Sequence, residues 1–365
     1  MDLRVNRQEL ADALAVVGSV AATRTPKPIL QCVQIEALGD HLLLTATDLE
    51  LGVRYVVTQV EVSEKGAVLV QADKLGQIVR ESTDEILVLQ STERALIVRS
   101  SDGHFQIVSQ DPNDFPPVAQ MEGEADFEVS AGTLREMAEW TVFAAARENT
   151  RYAINGVLWE LEKGHLNLVA TDGRRLSFAS GDILGKSRSD GRAILPVKAI
   201  HLCQRLVGDA DEPVRVKVLP NQVLVRTQRA TVTSALVEGH FPKYQDVIPT
   251  DATKFAQLST SEFLSAVRRV ALLTNEESRG IKLSLTSQSL TLSSRAPEQG
   301  EAEVTIPVKY RGDPIDIGFN PNFLVDALRA VTADEVSLEL KEPNRPGVMR
   351  VGNRQLYVVM PLNLL

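Results

Sequence analysis

Two segments of the chain carry residue types that could do acid–base chemistry. Residues 41–50 read HLLLTATDLE and residues 165–174 read HLNLVATDGR, so both place Ala-Thr-Asp after alternating leucines. In the second segment, Asp172 could serve as an acid or a base, and Arg174 and Arg175 could hold an anionic substrate. An enzyme with its site at this segment is therefore one hypothesis for the chain.

Little else in the sequence supports catalysis. A Thr-Asp site would need a base or nucleophile nearby, and Asp48 and Asp172 share no histidine companion. The sequence contains no glycine-rich phosphate loop, nucleophile elbow or metal-binding motif. A strand end closed by a Thr-Asp turn explains Asp48 better. The second copy continues as TDGRRL, with a glycine and two arginines, and is a candidate for a further role.

Residues that commonly bind metals are scattered. Cys32 and Cys203 fit neither a metal spacing nor a disulfide framework, and we interpret them as small buried apolar residues. No pair of histidines stands at ligand spacing; the five are His41, His104, His165, His201 and His240. The sequence therefore predicts neither a metal site nor a cofactor.

Composition and charge narrow the class of protein. Hydrophobic residues make up 44% and charged residues 24%, which is typical of globular proteins. No apolar run is long enough to span a bilayer, and MDLRVNRQEL carries charges where a signal peptide needs its apolar core. These features predict a cytoplasmic protein with no membrane partner. The net charge of -9 argues against an open basic patch that grips nucleic acid.

A shift of 124 residues aligns the chain with itself. Val5 falls on Val129 and Lys74 on Lys198, in addition to the Ala-Thr-Asp pair. A fainter third copy repeats the helical spacing of the first, with Phe263, Ala266, Val267 and Val270 in the places of Leu10, Ala13, Leu14 and Val17. We therefore predict three domains, at residues 1–124, 125–252 and 253–365.

Each repeated unit has the same order of elements. An amphipathic helix comes first, as in RQELADALAVVGSV, followed by strands of alternating polarity, as in HLLLTATDLELGVRYVV. A second helix, such as DKLGQIVRE, then leads into another strand and closing hairpins. The pattern predicts an α+β fold in which two helices pack on largely antiparallel sheet in each unit.

Nine separated motifs resemble one family, in the same order along the whole chain. They are RTPKPIL, TATDLE, DPNDFPPV, RYAINGVLWE, VATDGRRLS, HFPKYQDVIP, LLTNEESRGIKL, IGFNPNFLVDAL and YVVMPLNLL. Together they resemble the bacterial sliding clamp, the β subunit of the replicative DNA polymerase III holoenzyme. The resemblance implies a non-catalytic processivity factor with three clamp domains, in which two chains close head to tail into a ring around duplex DNA.

The resemblance also implies the partners. They are duplex DNA held topologically and without sequence preference, a second copy of the chain, the α-type replicative polymerase subunit, the clamp loader, and other DNA polymerases and repair proteins. A closed ring needs no strong grip on phosphates, because each phosphate contact would add attraction that slows sliding. The negative net charge is therefore compatible with a protein that surrounds DNA.

Four positions match the DNA-contacting residues of the family: Arg24, Arg151, Tyr152 and Lys198. Ala153 stands where well-known members have a second tyrosine, and Glu148 where they have glutamine. An alanine cannot stack on a base as a tyrosine can, so we expect weaker contact with single-stranded or tilted DNA.

The resemblance places the dimer interface at the two ends of the chain. Leu272 and Leu273 in VALLTNEE are expected to meet the strand GHFQIVSQ of the neighbouring chain, where Phe105 and Ile107 alternate. Pairing of adjoining edge strands across the joint would hide two sheet edges. The expected interface residues are Lys74, Phe105, Ile107, Leu272, Leu273, Glu298 and Glu301.

TDGRRL corresponds to one wall of the family's peptide-binding pocket, which accepts short glutamine-leucine-phenylalanine-type tails. The matching residues here are Ile154, Thr171, Gly173, Arg174, Arg175, Leu176, Pro242, Val247, Asn320, Phe323, Val348, Val358, Met360, Pro361 and Leu362. The apolar members would form a pit for an anchor side chain, and Met360 can adapt to different partners. Gly173 would let a peptide backbone approach, and Arg174 and Arg175 would donate hydrogen bonds to it.

Three positions of this pocket depart from the family pattern. Asp246 stands where well-known members have arginine, Arg174 replaces a histidine, and Asn363 replaces an arginine. The departures change the charge at the rim, and from them we expect peptides with a basic or neutral flank. A repeat scaffold that binds proteins without encircling DNA is the alternative function with the same fold.

Overall fold

The computed structural model describes residues 1–147, 153–188, 190–274, 280–297 and 299–363. Its α-helices are Arg7–Val17 (α1), Ala72–Glu81 (α2), Ala131–Thr141 (α3), Val197–Leu206 (α4), Thr260–Val270 (α5) and Pro321–Ala330 (α6). The strands of the first third are Asp2–Asn6 (β1), Cys32–Ala37 (β2), Leu42–Thr47 (β3), Leu51–Val57 (β4), Val60–Glu64 (β5), Gly66–Gln71 (β6), Ile86–Ser91 (β7), Ala95–Arg99 (β8) and His104–Gln110 (β9).

The remaining strands follow the same pattern. Those of the middle third are Phe127–Ser130 (β10), Gly156–Glu162 (β11), His165–Thr171 (β12), Arg175–Asp182 (β13), Gly191–Pro196 (β14), Pro213–Val218 (β15), Gln222–Arg226 (β16) and Ala230–Ala235 (β17). Those of the last third are Lys254–Ser259 (β18), Ile281–Leu285 (β19), Ser289–Ala296 (β20), Gly300–Pro307 (β21), Lys309–Arg311 (β22), Ile315–Phe319 (β23), Glu335–Leu340 (β24), Gly347–Val351 (β25) and Gln355–Val359 (β26).

The first of two compact units holds a 13-stranded sheet. The unit comprises Met1–Thr133, Ile183–Ser189 and Lys198–Leu236, and the strand order is β10-β15-β16-β17-β4-β3-β2-β6-β9-β8-β7-β1-β5. Strand β4 pairs antiparallel with β17, with Val53 opposite Val232. This pairing joins the first repeated segment of the chain to the second within one sheet.

The second compact unit holds two sheets. It comprises Leu134–Asp182, Asp190–Val197 and Val237–Leu365. A nine-stranded sheet runs β14-β11-β12-β13-β26-β25-β24-β18-β22, and a four-stranded sheet runs β21-β20-β19-β23. Here β13 pairs antiparallel with β26, with Leu176 opposite Val358. The pairing repeats the relation of β4 to β17 and brings the last strand of the chain beside the TDGRRL segment.

The helices bury the stripes that the sequence pattern indicates. On α1 the predicted stripe of Leu10, Ala13, Leu14 and Val17 is buried, and on α5 so is that of Phe263, Ala266, Val267 and Val270. Helix α1 packs against α2, and α5 packs against α6. The predicted α+β architecture of helices on antiparallel sheet is confirmed. Within the described residues, no helix is both long and apolar enough to cross a bilayer.

Candidate functional site

The turn between β12 and β13 is built by the threonine and aspartate of the second Ala-Thr-Asp. The Thr171 hydroxyl donates to the Arg175 carbonyl oxygen at 2.6 Å and accepts from the Gly173 N–H at 3.1 Å. Oδ1 of Asp172 accepts from the backbone N–H groups of Arg174 and Arg175 at 2.9 and 3.1 Å. Gly173 has φ +85°, a left-handed conformation that favours glycine. The Asp172 side chain therefore stabilises the turn by accepting hydrogen bonds from backbone N–H groups.

The first Ala-Thr-Asp forms the same turn between β3 and β4. The Thr47 hydroxyl donates to the Leu51 carbonyl oxygen at 2.9 Å, and Asp48 Oδ1 accepts from the N–H groups of Glu50 and Leu51. Leu49 occupies the position of Gly173, with φ +82°. The repeated motif is thus one structural unit used twice, as predicted for Asp48. The same bonding accounts for Asp172 and removes the main reason to assign it a catalytic role.

Arg175 ties this turn to the surrounding core. The side chain is buried, and its Nε donates to Asp172 at 3.1 Å while one terminal nitrogen donates to Asp326 at 2.7 Å. The other terminal nitrogen donates to the Phe143 carbonyl oxygen at 2.8 Å, and the guanidinium lies 4.5 Å from the centre of the Phe323 ring. Through these contacts, Arg175 holds the turn that forms one wall of the site. Arg174, in contrast, is exposed and makes no ion pair with another described residue.

A cavity of about 610 Å³ lies against this turn, entirely within the second compact unit. Its floor is apolar and includes Leu176, which is buried in a core cluster together with Val348 and Val358. Val247 and Met360 stand at its mouth, with 53% and 45% of their surfaces exposed. Exposed apolar side chains at the mouth of an apolar cavity are a feature of ligand-binding sites.

The cavity brings together ten of the fifteen residues predicted for the peptide pocket. They are Ile154, Thr171, Gly173, Arg174, Arg175, Leu176, Pro242, Val247, Val358 and Met360. Val348 lies in the core behind the floor. Phe323 and Asn320 lie at the start of α6. The Phe323 ring packs against the Arg175 guanidinium, and the Asn320 side chain caps the helix.

Pro361 and Leu362 line a neighbouring cavity of about 460 Å³, which shares Met360 and Asn344 with the first. The Leu362 N–H donates to the Gly318 carbonyl oxygen at 2.8 Å, and the Met360 N–H donates to the Arg174 carbonyl oxygen at 2.9 Å. Two backbone hydrogen bonds thus hold the described end of the chain between the two cavities.

Several residues that line the first cavity were absent from the prediction. They form two groups, one in the segment after Pro242 and one at the end of β24 and in its connection to β25. They are Lys243, Tyr244, Ile248, Pro249, Asp251 and Ala252 in the first group, and Glu339, Leu340, Lys341, Asn344, Arg345 and Pro346 in the second. Asp246, which the sequence placed at the rim, also lines the cavity. The motif HFPKYQDVIP was a signal for the first group, whereas no sequence pattern marked the second.

Residues expected at the dimer interface are mostly exposed. Leu272 follows α5 with 77% of its surface exposed, and Leu273 is half-buried. Phe105 is 40% exposed, but Ile107 is buried within its own protomer, and Val108 is the most exposed apolar residue of β9. Lys74 and Glu301 are exposed, and Glu301 pairs with Arg295 at 3.1 Å. Glu298 lies outside the described residues.

Strands β9 and β21 are among the described strands that have an unpaired edge. Residues 104–108 of β9 pair with β8 on one side, while β6 pairs with β9 at Ser109 and Gln110. Strand β21 is the outermost strand of the four-stranded sheet. Such edges are open to pairing with another chain.

Only two of the four residues expected to contact DNA lie within the described residues. Arg24 and Lys198 are both exposed, and Lys198 lies in the first turn of α4. Arg151, Tyr152 and Glu148 lie outside the described residues, while Ala153 is buried. Within the described residues, no group of three or more potential ligands could hold a metal ion. Cys32 and Cys203 are both buried, as predicted, and burial raises the pKa of the Cys203 thiol to about 12.

Comparison with known proteins agrees with this arrangement over the whole chain. The three domain models of the DNA polymerase III beta subunit match in order: N-terminal at residues 1–119, central at 128–243 and C-terminal at 245–363. The beta sliding clamp of Pseudomonas aeruginosa is 33% identical with 100% of both chains covered, and that of Chlamydia pneumoniae is 31% identical with 100% of this chain and 99% of the relative covered.

Solved structures are similar in the same way. A Pseudomonas aeruginosa sliding clamp bound to griselimycin is 32% identical with a TM-score of 0.94, and the Thermotoga maritima DNA polymerase III beta subunit is 28% identical with a TM-score of 0.91. In both comparisons 100% of each chain is covered. The chain belongs to the family of bacterial sliding clamps, the β subunits of DNA polymerase III. It is a non-catalytic processivity factor of DNA replication that binds DNA as a homodimeric ring and interacts with the polymerase.

Proposed function

We propose that the 610 Å³ cavity is the pocket through which this clamp holds the tails of its protein partners. The observation that carries the proposal is the Gly173 turn, where no atom would lie within 4 Å of an added Cβ. An extended peptide can therefore approach the backbone there and place an apolar anchor over Leu176 and Val358. The replicative polymerase subunit, the clamp loader and repair proteins are the partners of this class.

The charge at the rim favours a different peptide flank from the basic or neutral one expected from Asp246, Arg174 and Asn363. Arg174, Lys243 and Arg345 line the cavity as exposed cations and form no ion pair with other described residues. Asp246 is an exposed acid at the same rim, whereas Asp251 is neutralised by Lys341 at 2.5 Å. Because cations outnumber unpaired acids, we infer that an acidic flank binds better than a basic one.

Membership of the sliding-clamp family also supports proposals for the domain boundaries, the DNA-facing residues and the dimer joint. We propose domain boundaries after residues 124 and 252. The three separate family matches support three domains; the first boundary falls between matches, and the C-terminal match begins at residue 245. Arg24, Arg151, Tyr152 and Lys198 are proposed to face DNA. The leucine pair 272–273 and the open edges of β9 and β21 are proposed to form the head-to-tail joint. Because it is a replication protein, we place the clamp in the cytoplasm.

Exchanging the two turn residues tests the pocket assignment. Gly173→Leu is expected to fold, because Leu49 already occupies the equivalent left-handed position of the first turn. The cost in stability should be about 1–2 kcal/mol, the strain of a side chain in that conformation. The new side chain would stand over the groove and weaken the binding of a polymerase tail peptide by more than about tenfold. Fluorescence anisotropy with a labelled peptide measures this affinity.

Leu49→Gly is the matched control, since it changes the same turn at the other copy. It should leave peptide affinity unchanged. Equal affinity of folded Gly173→Leu and the wild-type clamp would place the partner site elsewhere.

A further inference from the structure

Residues 241–250 form one wall of the cavity that the Gly173 turn also lines. Pro242, Lys243, Tyr244, Asp246 and Val247 line the cavity from this segment. Two backbone hydrogen bonds lie inside it, from Asp246 N–H to Lys243 and from Ile248 N–H to Gln245. The apolar side chains Phe241 and Ile248 are only partly buried against the core. The wall is thus held weakly by its own backbone.

Within the described residues, one hydrogen bond ties residues 241–250 to another element. The Tyr244 hydroxyl donates to Oε2 of Glu160 on β11 at 2.6 Å. Tyr244 is buried, and its ring lies 6.0 Å from that of Phe178 in the core beneath the cavity. The hydroxyl is therefore the polar anchor of the whole wall.

Glu160 is a buried carboxylate with a second partner. Its side chain is 4% exposed, and Oε1 accepts from the guanidinium of Arg192. Arg192 lies directly opposite on β14, in register with Glu160, and its own side chain is mostly exposed. Burying a carboxylate costs much free energy unless its oxygens are paired. Arg192 and Tyr244 each pair with one oxygen of Glu160 and so offset this cost. Neither Glu160 nor Arg192 lines the cavity.

We propose that Glu160, held by Arg192, is a positioning residue that fixes the pocket wall through Tyr244 and thereby sets the affinity for partner peptides. The inference rests on the proposed function of the cavity. Burial raises the pKa of Tyr244, with the hydrogen bond to Glu160 adding to the effect, so the hydroxyl keeps its proton and remains a donor. If this bond is removed, the wall samples open positions, and a peptide must first restore the closed one.

Tyr244→Phe removes the hydroxyl and keeps the ring. We expect a tail peptide to bind about tenfold more weakly, because Oε2 of the buried Glu160 carboxylate loses its partner and the closed wall loses one charged hydrogen bond. Lys243 is exposed in the same wall and is a trypsin site. Trypsin cleavage after Lys243 should accelerate by about the same factor, because its rate follows the fraction of molecules in which the wall is open. Glu160→Ala should behave in the same way, whereas Glu160→Gln, which retains an acceptor oxygen, should recover much of the affinity.

Tyr55→Phe is the matched control. Tyr55 is also buried, and it lies beside Arg229 in the first compact unit. It should change neither affinity nor cleavage. Arg192→Met, at an exposed position, gives a second variant that is expected to fold and to shift both measurements in the same direction.

The outcomes separate the two claims. If Gly173→Leu abolishes binding but Tyr244→Phe and Arg192→Met bind as the wild-type clamp does, the positioning role is wrong and the pocket stands. Weaker binding without faster cleavage after Lys243 would also overturn the positioning role. If Gly173→Leu binds normally, the pocket assignment itself fails.

Discussion

Replacing Leu272 and Leu273 with alanine is expected to convert the dimer into folded monomers. Leu272 exposes 77% of its surface at the end of α5, so its own protomer gains little from it. Burial of a leucine side chain contributes about 1.5–3 kcal/mol, so two leucines at each of two joints contribute enough to raise the dissociation constant by several orders of magnitude. Stability of the monomer should change little because the core stripe of α5 is retained.

Light scattering at micromolar concentration measures this result directly. The control is a double change of two other exposed leucines, Leu38→Ala and Leu184→Ala, which are 44% and 42% exposed. The control should remain dimeric. A Leu272→Ala, Leu273→Ala protein that stays dimeric under the same conditions would remove these residues from the joint.

Removal of residues 360–365 is expected to abolish binding of a polymerase tail peptide while the dimer remains folded. Strand β26 ends at Val359, so the sheet keeps all its strands. Met360 lines both cavities, and its loss would open the apolar pit to water. The backbone bonds from Met360 to Arg174 and from Leu362 to Gly318 would also be lost, at a cost of about 1 kcal/mol each.

Fluorescence anisotropy with the labelled tail, together with circular dichroism, separates loss of binding from loss of fold. Lys282→Ala is a suitable control, because Lys282 lines the neighbouring cavity without lining the first. Its affinity should match that of the wild-type clamp. Wild-type affinity in a folded, truncated protein would contradict the assignment of the tail to the pocket.

Local pattern was enough to predict the repeated elements of the fold. The stripe on α5 and the Thr-Asp turns depend on spacing and side-chain chemistry within a few residues, and both formed as expected. The resemblance added the long-range information, since no local rule says that β26 returns to pair with β13.

The details of the pocket depended on directions that the sequence does not show. Arg174 and Arg175 are identical in type and adjacent, yet one faces solvent and the other is buried among Asp172, Asp326 and Phe143. Residues 339–346 carry no motif and reach the cavity only because their hairpin flanks the last strand. Ile107 alternates with Phe105 as predicted but points into its own core.

Retention on circular DNA tests the central claim that the clamp holds DNA by topology. The dimer is loaded onto a nicked circular duplex by the clamp loader, and the bound fraction is followed by gel filtration before and after the circle is cut. We predict stable retention on the circle, loss within the time of one column run after linearisation, and little change between 50 and 200 mM salt. An ordinary binding surface with 6–10 phosphate contacts would lose about 10³–10⁵ in affinity over that range. Salt-sensitive binding that persists on linear duplex without the loader would contradict the account.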